Sequence, residues 1–206
     1  ATCTYEAVKR IFYLKSKNQK PFEIIFQVSN DGVAFRYYLP GKRNQKLRIY
    51  KENTSFHFDS LTKAFLQPCP DARTGWCYSQ PSYEEYYQLA IPVGTPSPFQ
   101  AGWVMPALFN SGKYWISITE TAVDTNYCGS RLSQFSPDGE YFIQFPQPQE
   151  SRGNEPYLPE SSLPWATSWR VIAISEGLAG IVESTLGTDL ANPAQYDVSS
   201  WLNPGI

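Results

Sequence analysis

The chain has 206 residues, with 17 Lys and Arg against 19 Asp and Glu, a formal net charge of −2, 16% aromatic residues and 17 prolines. No basic stripe emerges beyond the short groups Lys42-Arg43 and Lys46–Arg48, so nucleic-acid binding, which needs a basic face to replace counterions, is not expected. No apolar run approaches the ~20 residues of a membrane-spanning helix, and the length allows a full core in one large or two small domains.

The N-terminus, A-T-C-T-Y-E, has no signal-peptide character. Residues 4–14 fit a short helix or a strand. Residues 22–28 (F-E-I-I-F-Q-V) and 33–39 (V-A-F-R-Y-Y-L) flank Asn30-Asp31-Gly32. These three residues tolerate the positive φ of tight turns, which predicts a β-hairpin. Further strands are expected over 47–50, 55–58, 104–109, 113–119, 141–145 and 169–174, and V-E-S-T-L at 182–186 reads as another. Residues 146–164, rich in Pro, Gln, Glu and Ser, read as a long surface loop. Many short strands separated by turn signals predict an all-β, antiparallel two-sheet sandwich with little helix. Its expected core includes Phe26, Val28, Val33, Phe35, Ile116, Ile118, Val171 and Ile172. The sandwich is assigned to residues 1–198. Residues 199–206 (S-W-L-N-P-G-I after Ser199) read as a linker, with Pro204-Gly205 as a hinge.

Most catalytic patterns are missing. His57 is the one histidine; it alternates with Phe56 and Phe58 and is expected to face away from them. A single histidine cannot build the two-His metal sites, and no G-x-S-x-G elbow or Gly-rich phosphate loop occurs. Ser60-Leu61-Thr62-Lys63 fits S-x-x-K, but its companion S-D-N and K-T-G elements are absent. Four cysteines, Cys3, Cys69, Cys77 and Cys128, form no C-x-x-C. Cys69 and Cys77 flank a turn-like segment and fit a small disulfide loop or buried free thiols equally well; a disulfide would imply an extracytoplasmic protein. Among carboxylates, Glu84-Glu85 lies in a charged, aromatic loop. Glu120 ends the strand K-Y-W-I-S-I-T-E, with Asp124 four residues on. A carboxylate at a strand end can leave the sheet and serve a hard cation, which takes several oxygen donors from separate segments.

Four segments in order, F-Q-V-S-N-D-G-V-A-F-R-Y at 26–37, I-S-I-T-E-T-A at 116–122, S-W-R-V-I-A-I at 168–174 and S-S-W-L-N-P-G at 199–205, resemble the N-terminal domain of glycoside hydrolase family 97. This is a family of α-glucosidases and α-galactosidases. The resemblance implies a β-super-sandwich of the galactose mutarotase type, packed on a catalytic (β/α)8 barrel that this chain lacks. It also implies an active-site calcium, with Glu120 as the one ligand supplied by this domain. Where the family has Ala after this glutamate, the chain has Thr121. Without a barrel the chain cannot present the paired carboxylates that cleave glycosides. The implied partners are the barrel of the same protein and, through it, an oligo- or polysaccharide. The implied location is periplasmic or secreted.

Two other readings compete. A free-standing carbohydrate-binding module would need exposed aromatic platforms, for which Trp76, Trp103, Trp165 and Trp201 are candidates, although core or interface roles suit them better. A mutarotase-like epimerase would need a histidine acid with a glutamate base, and His57 is poorly placed for it.

Overall fold

The structure, a computed structural model, describes residues 4–71, 87–151, 157–193 and 195. The predicted hairpin is present as β2 (Pro21–Ser29) and β3 (Gly32–Leu39), joined by Asn30-Asp31 with Ser29 opposite Gly32. Gly32 has φ 145°, and a Cβ there would meet the Ile172 carbonyl oxygen at 2.1 Å. Only glycine permits both that φ and that approach. The ambiguous N-terminal segment is a strand, β1 (Val8–Lys15), paired along its whole length with β2.

The remaining strands are β4 (Lys46–Arg48), β5 (Ser55–His57), β6 (Lys63–Leu66), β7 (Gln88–Pro92), β8 (Ala107–Asn110), β9 (Trp115–Thr121), β10 (Arg131–Leu132), β11 (Glu140–Gln144), β12 (Glu160–Ser162), β13 (Trp165–Ala166) and β14 (Trp169–Ser175). The large sheet runs β1-β2-β3-β14-β9-β8-β6-β7, with β13 also on β3; β10-β11-β5 and β12-β4 form two smaller sheets. Every pairing is antiparallel. The fold is therefore the all-β antiparallel sandwich that the turn spacing predicts.

Side chains alternate across a strand, so the large sheet has two distinct faces. Ala64, Leu66, Ala107, Phe109 and Ile118 meet Phe56, Leu132, Tyr141 and Ile143 of the small sheets, and Phe58 just after β5, in the main core. Phe58 stacks on Phe109 with centroids 3.9 Å apart. On the opposite face Ile25, Ala34, Trp169 and Val171 pack against Leu186 and Leu190. Burial on both faces explains why the apolar run of β14 is nearly continuous.

Three expectations need correction. Residues 182–186 are not a strand: the chain forms α1 (Leu178–Glu183) and α2 (Leu186–Asp189). The spacing of Leu186 and Leu190, four residues apart and both buried, is the helical period that a five-residue window hides. Segment 146–164 is not simply a surface loop. Pro159 is fully buried, Leu158 packs on the main core, and β12 pairs with β4. Of the expected core, Ile118 and Val171 are buried, and Phe35, Ile116 and Ile172 pack partly against the main core. Phe26 and Val33 are half-buried, but Val28 is 50% exposed. It lies on the part of the large sheet that the smaller sheets do not reach.

Candidate functional site

Glu120 lies on β9 directly opposite Arg170 of β14. Opposed residues of an antiparallel pair project from the same face, so the register itself brings these two charges together. Arg170 Nη1 donates to Glu120 Oε2 at 2.5 Å. Its Nε and Nη2 donate to Oε1 and Oε2 of Glu52, at 2.9 and 2.5 Å. Glu52 arrives from the segment between β4 and β5. The Tyr127 hydroxyl also donates to Glu52 Oε2, at 2.9 Å. Ser130 gives Glu120 two further hydrogen bonds, backbone N–H to Oε1 at 2.7 Å and hydroxyl to Oε2 at 2.6 Å. The Ser168 hydroxyl donates to Oε2 at 3.5 Å.

The cluster is deep. The Arg170 side chain is 1% exposed and that of Glu120 12%, so Glu120 is not the free surface carboxylate that a strand-end position suggests. Burial of the charged form works against Glu52, yet the hydrogen bonds and charge of Arg170, with Thr54 and Tyr127, outweigh it and hold its carboxyl below the usual range. Arg170 is likewise held above its ordinary value: burial lowers it, and Glu52 more than compensates. Burial, then the charge of Glu52, pushes the Tyr127 phenol up. Burial and the neighbouring Glu120 push the Cys128 thiol up to about 12.

Two carboxylates share one guanidinium, so the cluster carries one negative charge in excess. The nearby Arg131 is committed to Glu150, 2.6 Å away. A carboxylate oxygen has two acceptor positions. Glu120 Oε2 takes three donors, whereas Oε1 takes one, from Ser130. The flank of Oε1 is bordered by Gly129, where a Cβ would sit 3.8 Å from that oxygen. One acceptor position of Oε1 is therefore without an assigned donor, on a cluster with uncompensated negative charge. Among the described residues no group of three or more His, Cys, Asp and Glu side chains could hold a metal. Tyr127 and Cys128 line a cavity of about 320 Å³. Glu52 and Tyr127 border an apolar cleft of about 740 Å³ with Tyr37, Leu39, Leu47 and Ile49.

Among the described residues, Trp103, Trp165, Cys69 and His57 make no hydrogen bond to Glu120, Arg170 or Glu52. Trp103 and Trp165 are buried in the main core. Glu84, Glu85, Trp76, Trp201, Cys3, Cys77 and the 199–206 segment lie outside the described residues. Cys69 and Cys128 are free thiols, and Cys69 accepts from Arg131 Nη1 at 2.9 Å. His57 is exposed on β5 between buried Phe56 and Phe58, as its alternation predicts. Sequence reasoning missed Arg170, Glu52, Tyr127 and Ser130. Arg170 carried a signal, since a lone cation inside S-W-R-V-I-A-I must find a partner when its strand is buried. Glu52, in the polar run K-E-N-T, carried none.

The domain is thus an antiparallel β-sandwich with a buried carboxylate–guanidinium cluster at the end of a central strand. The profile described as "Glycosyl-hydrolase 97 N-terminal" matches residues 1–193, and the chain belongs to that family. It is 27% identical over 189 residues to a "Probable retaining alpha-galactosidase" of Streptomyces bingchenggensis, a match covering 89% of this chain and 25% of the relative. It also resembles the crystal structure of a beta-arabinopyranosidase, with a TM-score of 0.86 and 37% identity over 95% of this chain and 32% of the other. The chain thus spans a quarter to a third of these relatives. No described helix is long and apolar enough to cross a membrane.

Proposed function

We propose that this chain is the N-terminal β-sandwich of a calcium-dependent glycoside hydrolase, packed on the catalytic barrel of the same protein, with Glu120 as one ligand of the active-site calcium. Family membership carries the reading, and the short span of the match along two glycosidases supports a role beside a separate catalytic domain. The acceptor position of Oε1 without an assigned donor and the excess negative charge of the cluster support the ligand role of Glu120. Calcium takes six to eight oxygens, so Glu120 supplies one ligand among several. When bound, the ion supplies a fixed positive charge against which negative charge can develop on substrate oxygens. Glu120, held by Arg170 and Ser130, keeps one oxygen in a constant position for it. A calcium requirement suits a periplasmic or secreted protein.

The names of the two relatives indicate a substrate class. Galactopyranosides and L-arabinopyranosides share the orientation of their ring hydroxyls and differ by the hydroxymethyl at C5. The intact protein is therefore assigned pyranosides with an axial C4 hydroxyl. The intact protein should hydrolyse aryl α-galactoside or β-L-arabinopyranoside, lose the activity with a chelator and recover it with calcium. Glu120→Gln should raise the calcium needed for half-maximal rate at least tenfold. Hydrolysis indifferent to chelation, or a Gln variant with wild-type calcium dependence, would refute the assignment.

A further inference from the structure

Glu52 is sequence-remote from Glu120, yet the two are joined through a single side chain. The Arg170 fork is saturated: Nε and Nη2 on Glu52, Nη2 also 3.4 Å from the Tyr127 hydroxyl, and Nη1 on Glu120 and on the Ser130 hydroxyl at 2.8 Å. Glu52 takes the bidentate edge of the guanidinium, the stronger geometry, and Glu120 takes one N–H of the remaining corner. The cation is thus compensated mainly by Glu52.

We propose that Glu52 is a charge-balancing, positioning residue for calcium: by neutralising Arg170 it leaves the charge of Glu120 to the ion. This rests on the reading of Glu120 as a calcium ligand. Without Glu52, Arg170 and Glu120 would form a closed, neutral pair, and calcium would meet a carboxylate whose charge was already spent. With Glu52, the same guanidinium still fixes Oε2 and the rotamer of Glu120, but the cluster keeps one net negative charge. Groups behind a ligand commonly alter metal affinity by about 10–100-fold. Glu52 acts here without touching the ion's own ligand, through a shared arginine.

The test is calorimetric titration of calcium into the chelator-treated intact protein, with thermal unfolding of each apo form to verify folding. Glu52→Gln keeps the shape of the side chain, one acceptor for Arg170 and, with the Tyr127 hydroxyl turned round, a partner for its amide. It should weaken calcium at least tenfold. Glu52→Asp keeps the charge and should stay within about threefold of wild type, as should Tyr127→Phe, which removes a hydrogen bond to Glu52 without changing charge. Wild-type affinity in Glu52→Gln would overturn the proposal. So would equal losses in the Gln and Asp variants, or a tenfold loss in Tyr127→Phe, since each makes geometry and not charge the requirement. Glu120→Gln separates the two levels. If it weakens calcium while Glu52→Gln does not, only the role of Glu52 falls; if it leaves calcium binding unchanged, the calcium reading falls with it.

Discussion

The two halves of the large sheet obey the same alternation but differ in what covers them. Across β14, β9, β8 and β6, the face bearing Ile118, Phe109 and Ala64 is roofed by the small sheets and buried. Across β1, β2 and β3 the corresponding face carries the aromatic ladder Phe12–Phe26–Phe35–Tyr37, with ring centroids 5.4 to 6.2 Å apart, yet Phe12 is 49% and Val28 50% exposed. Period-two patterning therefore identifies which side chains share a face, not whether that face is covered. The polar cluster sits on the covered half, where the cost of leaving a charge unpaired is highest.

Four substitutions sharpen this contrast. The largest effects belong to the covered half. Removing the guanidinium by Arg170→Met strands Glu52 and Glu120, and breaking a buried ion pair of this kind costs about 3–5 kcal/mol. Phe109→Ala opens a void against Phe58 and Tyr141 and is expected to cost a similar ~3–5 kcal/mol. Ile118→Val, at the centre of the same face, is expected to cost about 0.5–1.5 kcal/mol. Val28→Ala, on the exposed half, should stay within about 0.5 kcal/mol, as surface changes do. Chemical denaturation reads all four, and a Val28→Ala cost equal to that of Phe109→Ala would erase the distinction.

A smaller effect comes from pH. The carboxyl of Glu52 is depressed in the folded protein, so between its native and unfolded pKa values the unfolded chain binds the extra proton. Its stabilising contribution is complete above the ordinary carboxylate range and is lost as pH falls through the lower, native value. Acid unfolding of the wild type should therefore approach that of Glu52→Gln as pH drops below about 4. A gap that widens on acidification would contradict the charged assignment of Glu52.

Much of the fold was legible in the sequence. Turn chemistry at Asn30-Asp31-Gly32 set the hairpin register, and the long apolar strands β9 and β14 stood close to their expected bounds. Short strands such as β10, β12 and β13 were not legible, because two or three residues carry no period and their pairing depends on distant partners. The helices at 178–189 were hidden because a five-residue window is too short to show the helical spacing of Leu186 and Leu190. Of the site, Glu120 was found through its place after a strand and through family resemblance. Its partners were not, since Arg170 meets it only through the β9–β14 register, and Glu52 and Tyr127 arrive on irregular segments whose placement is decided by packing.

In the proposed arrangement Glu120 divides its two oxygens, Oε2 to Arg170 and Oε1 to a cation. A crystal structure of the intact protein grown with calcium tests it most directly. An ion is expected at about 2.3–2.6 Å from Oε1, with Arg170 still bridging Oε2 and Glu52. An ion bound elsewhere, with both oxygens of Glu120 engaged only by Arg170 and the serines, would contradict it.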